Sequence, residues 1–175
     1  MHSRCIYSQA AKDVNRIHLI FREGSTIRLT LHTDYALRIL LQAAAQGDAL
    51  LSISGVAQAH GISRNHVMKV VNQLANAGLL QTVRGRGGGF RLERDPETIT
   101  LGEVVRLTEP DLRPADCASC VLSSGCGLTP ILGSAMQAFL DELDRRTLAD
   151  ALRESRLPFR SLAPSPAQGQ DGDVS

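Results

Sequence analysis

The first sustained alternation of apolar and polar positions begins after residue 26 and has the period of a helix. Tyr35, Ala36, Ile39, Leu40, Ala43 and Ala44 recur at spacings that bring them to one face, with Thr33 as the expected N-cap and Gly47 beyond the end. The stretch SISGVAQAHGISRNHVMKVVNQLANAGLL, 52–80, then carries two shorter helices. Ser54 can cap the first, which ends at His60, and Gly61 suits the left-handed residue of a tight turn. Ser63 caps the second, which runs to Ala77 and stops at Gly78. Two helices joined by a short glycine-containing turn spell a helix-turn-helix.

Placing each residue about 100° further round the axis divides the second helix sharply. Val67, Val70, Val71 and Leu74 fall in one arc, while Arg64, Asn65, Met68, Lys69, Asn72, Gln73 and Asn76 occupy the other side. One face packs and the other is almost entirely hydrogen-bonding. Ser63, Arg64, Asn65, His66 and Lys69, at its N-terminal end, are types that reach base edges or phosphates in a major groove. An amphipathic surface helix is the plain alternative, although such helices favour Glu and Lys pairs.

Next, QTVRGRGGGFRL, 81–92, reads as a hairpin: a short strand through Val83, a glycine-rich tip, and a return strand through Phe90 and Leu92. Arg84 and Arg86 flank a tip where Gly87 and Gly88 let backbone approach a phosphate closely, as in the wing of a winged helix. A nucleotide cradle fails in detail, because no Lys follows the glycines and Phe90 interrupts the spacing of a dinucleotide fingerprint. A short amphipathic segment, ITLGEVVRLTE, follows, and residues 130–152 read as one helix of about 34 Å at 1.5 Å per residue. Thr129 is its expected cap and Pro130 its first residue. Its apolar stripe, Leu132, Met136, Phe139 and Leu143, continued by Leu148 and Leu152, exceeds what a small domain needs to cover. Pairing with a second copy would bury it.

Charge refines this picture. The chain of 175 residues carries a net charge of only +1, yet residues 61–94 hold six cations against the single acid Glu93. Residues 95–175 are acidic in compensation, with thirteen acids against seven arginines. A near-neutral protein with one basic module is what duplex binding requires, and Arg28 ahead of the first helix completes the expected DNA contacts. With six aromatics and no Trp, no platform for stacking single-stranded bases is evident. No motif places a nucleophile beside a base, so an enzyme is not expected.

No apolar run approaches a membrane span and none resembles a signal peptide, which points to the cytoplasm, where thiols stay reduced. Cys117, Cys120 and Cys126 fall within ten positions of DCASCVLSSGCG, 116–127. Iron-sulfur cluster, zinc, thiol switch and inert thiols all remain open. Structural zinc usually takes four local Cys or His ligands, but no His follows His66 and the other Cys is Cys5. A cluster, or a site that borrows a ligand from another segment, tolerates that gap better. Cys126 also precedes a helix N-terminus, where the dipole favours a thiolate.

Taken in order, several motifs resemble one family, the winged-helix iron-sulfur transcriptional regulators, and its nitric-oxide-sensing repressors above the others. They are RLTLHTDYALR at 28–38, ISRNHVMKVVNQL at 62–74, VRGRGGG at 83–89, EP at 109–110, the three cysteines, and LDxxTLADAL at 143–152. The resemblance implies a homodimeric repressor of a double-stranded, palindromic operator. It implies an iron-sulfur cluster in each subunit, 4Fe-4S or 2Fe-2S, held by Cys117, Cys120 and Cys126. A fourth ligand, Asp34, would come across the dimer. Nitric oxide attacking the cluster would then release DNA. A regulator of iron or cluster supply shares every motif, and a zinc-stabilised binding module without a sensory role is the other alternative. The two-residue gap between Cys117 and Cys120 is tighter than the family pattern, and Ile27 stands where relatives begin with Met.

The expected architecture is mainly α, a winged helix-turn-helix with a β-hairpin wing, a cysteine loop and a long dimerisation helix. The expected segments are a disordered extension, 1–26; the DNA-binding domain, 27–110; the cluster loop, 111–128; the dimerisation helix, 129–157; and a disordered tail, 158–175.

Overall fold

A computed structural model of the protein describes residues 28–117, 119–122 and 124–155. The expectations for residues 1–26, Cys5, Ile27 and the tail 158–175 lie outside the described residues. The order is α1 (Leu31–Gln46), α2 (Ile53–His60), α3 (Arg64–Asn76), β1 (Leu80–Val83), β2 (Gly89–Leu92), a 3-10 turn (Pro96–Thr98), α4 (Leu101–Thr108), α5 (Leu128–Asp144) and α6 (Leu148–Glu154).

Helix α1 is the centre of the domain. Its Ala36, Ile39, Leu40 and Ala43 are buried, and it packs on α3, α4, α6 and β2. Thr30, not Thr33, caps it: the Thr30 hydroxyl accepts the Thr33 N–H at 3.3 Å, and Thr33 lies buried inside the helix. The first turn was invisible to the apolar pattern because its Leu31 faces solvent. A similar offset corrects the second cap. Ser52, not Ser54, accepts the Gly55 N–H at 3.0 Å, and Ile53 already belongs to α2. Gly61 adopts the left-handed conformation and Ser63 caps α3, as expected. The expected packing face of α3, Val67, Val70, Val71 and Leu74, is fully buried.

Strands β1 and β2 pair antiparallel, Leu80 opposite Leu92 and Val83 opposite Gly89. Leu51 adds a bridge to Phe90 with reciprocal bonds of 2.8 and 2.9 Å, so the hairpin is pinned to the segment entering α2. Gly89 is required there, since a Cβ would collide with the Leu51 carbonyl.

The expected single helix over 130–152 is two helices. Thr147 forms a capping box with Asp150, the Thr147 hydroxyl accepting the Asp150 N–H while the Asp150 carboxylate accepts the Thr147 N–H. The backbone between them turns back on the domain, with Leu101 N–H donating to Arg146 O and Leu148 N–H to Ile99 O. Leu148 and Ala149 are thereby buried against the core. Nor is Thr129 a cap. Helix α5 starts at Leu128 after Gly127 with no side-chain cap, and Pro130 sits within the first turn, where a missing N–H costs nothing. At 17 residues α5 spans about 25 Å.

Candidate nucleic-acid interface and cysteine loop

The candidate reading face is built by α3 and the hairpin. Ser63 Oγ accepts the His66 N–H at 3.3 Å and starts α3 so that Ser63, Arg64, Asn65, His66 and Lys69 all project from the exposed side. Tyr35 of α1 lies against His66, ring centroids 6.1 Å apart, which fixes one edge of that face. Gln73, which sequence reasoning placed on the polar side without a role, anchors α3 from behind. Its Oε1 lies 2.5 Å from His32 Nε2 of α1, and its Nε2 donates to Leu107 O of α4 at 2.7 Å. Nothing in the apolar pattern signals such a polar tether. Thr30 N–H donates to Glu109 Oε1 at 2.7 Å, closing the same end of the domain and giving the Glu-Pro motif a structural task.

At the wing tip, Gly85 and Gly87 take positive φ of 104° and 79°, and Gly88 N–H closes the turn onto Gly85 O. A Cβ at Gly88 would strike the Val83 carbonyl, so the tip must stay bare. Arg84, Arg86 and Gly87 are exposed and Gly88 is half-buried. Arg28 is exposed ahead of α1.

Ion pairing separates the cations into two populations. Among the described residues, every arginine from Arg94 onward is tied to a carboxylate: Arg94 to Glu103, Arg106 to Asp144, Arg113 to Asp111, Arg145 and Arg146 to Glu142, and Arg153 to Glu97 and Asp150. Among the same residues, Arg64, Lys69, Arg84 and Arg86 make no ion pair. A face of uncompensated cations on an exposed helix surface and a glycine-rich tip is an electrostatic match to duplex phosphates.

The cysteines lie in the segment between α4 and α5. Cys120 is exposed, and Cys117 and Cys126 are partly covered. Thr129 Oγ1 donates to Cys117 Sγ at 3.6 Å. The Leu128 N–H, then the Thr129 backbone and hydroxyl, pull the Cys126 thiol below its ordinary value, with slight burial opposing. Thr129 thus serves two of the three thiols, a position sequence reasoning assigned to capping. Among the described residues, no three of His, Cys, Asp and Glu converge as a metal site within one chain. Asp34, on the first turn of α1, is engaged by Arg38, with Nη2 2.7 Å from its carboxylate and Nε donating at 2.9 Å.

Beside this pair, at the C-terminal end of α2, His60 Nε2 is 2.8 Å from Gln42 Oε1. Burial, then the Arg38 charge, hold His60 below the usual histidine value, and Asp34 opposes them.

A helix-turn-helix carrying a basic wing, with α3 held by its apolar face and its polar face bare, defines a DNA-binding transcriptional regulator. A family model described as an iron-dependent transcriptional regulator, Rrf2, matches residues 29–154. The chain belongs to the Rrf2 family. It is 45% identical over 133 residues to the HTH-type transcriptional regulator NsrR of Bacillus subtilis, covering 73% of this chain and 91% of that protein. The NsrR of Bacillus licheniformis is 42% identical over 132 residues, covering 72% and 92%. Among solved structures, CymR, the global cysteine regulator of B. subtilis, aligns with a TM-score of 0.63 at 27% identity, over 74% of this chain and 99% of that one. These relatives are transcriptional regulators, not enzymes. No helix among the described residues is long and apolar enough to cross a membrane.

Proposed function

We propose that the protein is a cytoplasmic, homodimeric transcriptional repressor that binds a palindromic operator and releases it when nitric oxide damages an iron-sulfur cluster. The observation that carries this reading is the direct continuity of the thiol loop with a bare apolar helix. Cys126 lies two residues before α5, and Leu128, Ile131 and Phe139 on that helix stand exposed.

The donors suit such a group in chemistry. Cys117, Cys120 and Cys126 are free thiols on one short loop, and the Leu128 N–H pulls the Cys126 thiol below its ordinary value. A cluster bound there supplies iron that is reactive toward nitric oxide. Asp34 is the fourth ligand, given by the partner subunit's copy of α1, and a carboxylate there leaves a more exchangeable site than a thiolate would. The protein's own residues relay the change. Asp34 either stays with Arg38 or leaves it, and on leaving it frees the Arg38 guanidinium, which lies near His60 at the end of α2. The exposed face of α5 packs on its counterpart and sets the spacing of the two reading heads, to which half-site recognition is sensitive.

A second reading, regulation by iron or cluster supply, is favoured by the family description as iron-dependent. The test is anaerobic purification with assay of iron, acid-labile sulfide and absorption, followed by titration with nitric oxide, oxygen and chelator while DNA binding is monitored. Nitric oxide abolishing binding first supports the sensor. Chelator acting first supports the second reading, and a colourless protein with stoichiometric zinc overturns both. Asp34→Ala leaving cluster stability and reactivity unchanged would remove Asp34 from the ligand set.

A further inference from the structure

One side chain on the reading face does not belong to its chemistry. Met68 stands in the row Arg64, Met68, Asn72, spaced four apart along α3, and is 48% exposed. Buried packing does not explain it, because the core face of α3 is supplied by Val67, Val70, Val71 and Leu74. Across a groove from it lies Val83, 41% exposed at the end of β1, and Val71 and Phe90 line the floor between them. The groove therefore has an apolar strip with Arg84 at its wing edge, and Arg64 stands exposed one turn before Met68 on α3.

Arg84 in the groove and Arg64 on the same face of α3, neither in an ion pair, select a polyanion as the occupant, and the strip selects an apolar group on it. Of the groups a duplex presents in its major groove, the thymine C5-methyl is the apolar one. Resting on the DNA-binding reading, we infer that Met68, with Val83 beside it, is a specificity-determining contact that recognises a thymine methyl in each operator half-site. Arg64 and Asn72, one turn to either side, read the neighbouring base edges or phosphates, so thymine is fixed at one position by exclusion of water from its methyl. The flexible, polarizable methionine suits this contact because it adapts to the methyl without demanding a hydrogen bond.

The test starts from a random duplex library from which the full-length protein selects its sites. The selected half-sites contain a thymine at a fixed position. Replacing that thymine by deoxyuridine, which removes only the methyl, weakens binding about fourfold, the value of one buried methyl group. Met68→Ala binds the thymine and deoxyuridine duplexes equally, whereas Met68→Leu keeps the difference. Selected sites bound with strong salt dependence, yet indifferent to deoxyuridine at every thymine, overturn this inference and leave the DNA-binding reading intact. Failure to select any duplex overturns the reading itself.

Discussion

Removing Arg84 and Arg86 together isolates the wing from the fold. Neither side chain makes an ion pair, so Arg84→Ala with Arg86→Ala deletes no contact that stabilises the domain, and thermal unfolding is expected to be unchanged. Each phosphate contact on duplex DNA contributes about −0.9 to the slope of log affinity against log salt. Two arginines per reading head therefore carry about −1.8, or about −3.6 for a dimer on both half-sites. Referred from 1 M to 0.1 M salt, that is a loss of about 60-fold per head. The assay is fluorescence anisotropy on a selected duplex from 50 to 300 mM salt, on the order of the range where this term dominates. Arg113→Ala serves as the control, because Arg113 is already neutralised by Asp111; its slope should match the parent. An unchanged slope in the folded double variant would refute the wing as a phosphate clamp.

Three further outcomes are expected. Phe139→Asp places a charge on the exposed face of α5 without disturbing the core, so sedimentation should show a monomer and operator affinity should fall; a persistent dimer would move the interface elsewhere. Thr147→Ala abolishes the capping box and should lower unfolding free energy by about 1 kcal/mol in urea, while an unaltered midpoint would mean α6 is held by packing alone. Asp144 is held below its usual value first by its hydrogen bonds from Arg106, with slight desolvation opposing. Its contribution is fully present above the unfolded carboxylate value of about 3.9 and is lost as pH falls through its lower folded value. Arg106→Gln should therefore reduce the acid sensitivity of urea unfolding below about pH 4, and an identical acid limb would exclude this pair.

The helix-turn-helix was legible because its signals are local and agree. Ser63, Gly61 and the valine face of α3 each have one favourable solution, and all three point to the same one. The hairpin was equally clear from its glycines. The caps of α1 and α2 were misplaced where an exposed Leu31 hid one turn and two serines competed two residues apart. The break before α6 was missed because Leu148 and Leu152 continue the apolar stripe, although the Thr147 and Asp150 spacing held the capping signal. Tyr35, Gln73 and Thr129 act through partners far along the chain, a relation that periodicity does not encode. The cysteine spacing marked three thiols on one loop, but among the described residues no metal-holding group forms around them.

The return of α6 to the core has a consequence for synthesis. Leu148 completes the cluster around Ile39 and Leu40, so an emerging chain holds the whole reading head long before it can close the hydrophobic centre beneath it. On the ribosome the domain matures only after the thiol loop and α5 have left the exit tunnel, and a nascent chain halted at Asp144 would present unsealed apolar surface to chaperones and proteases. A polypeptide ending before α6 therefore lacks Leu148 and Ala149, which the full chain buries beneath the helix-turn-helix.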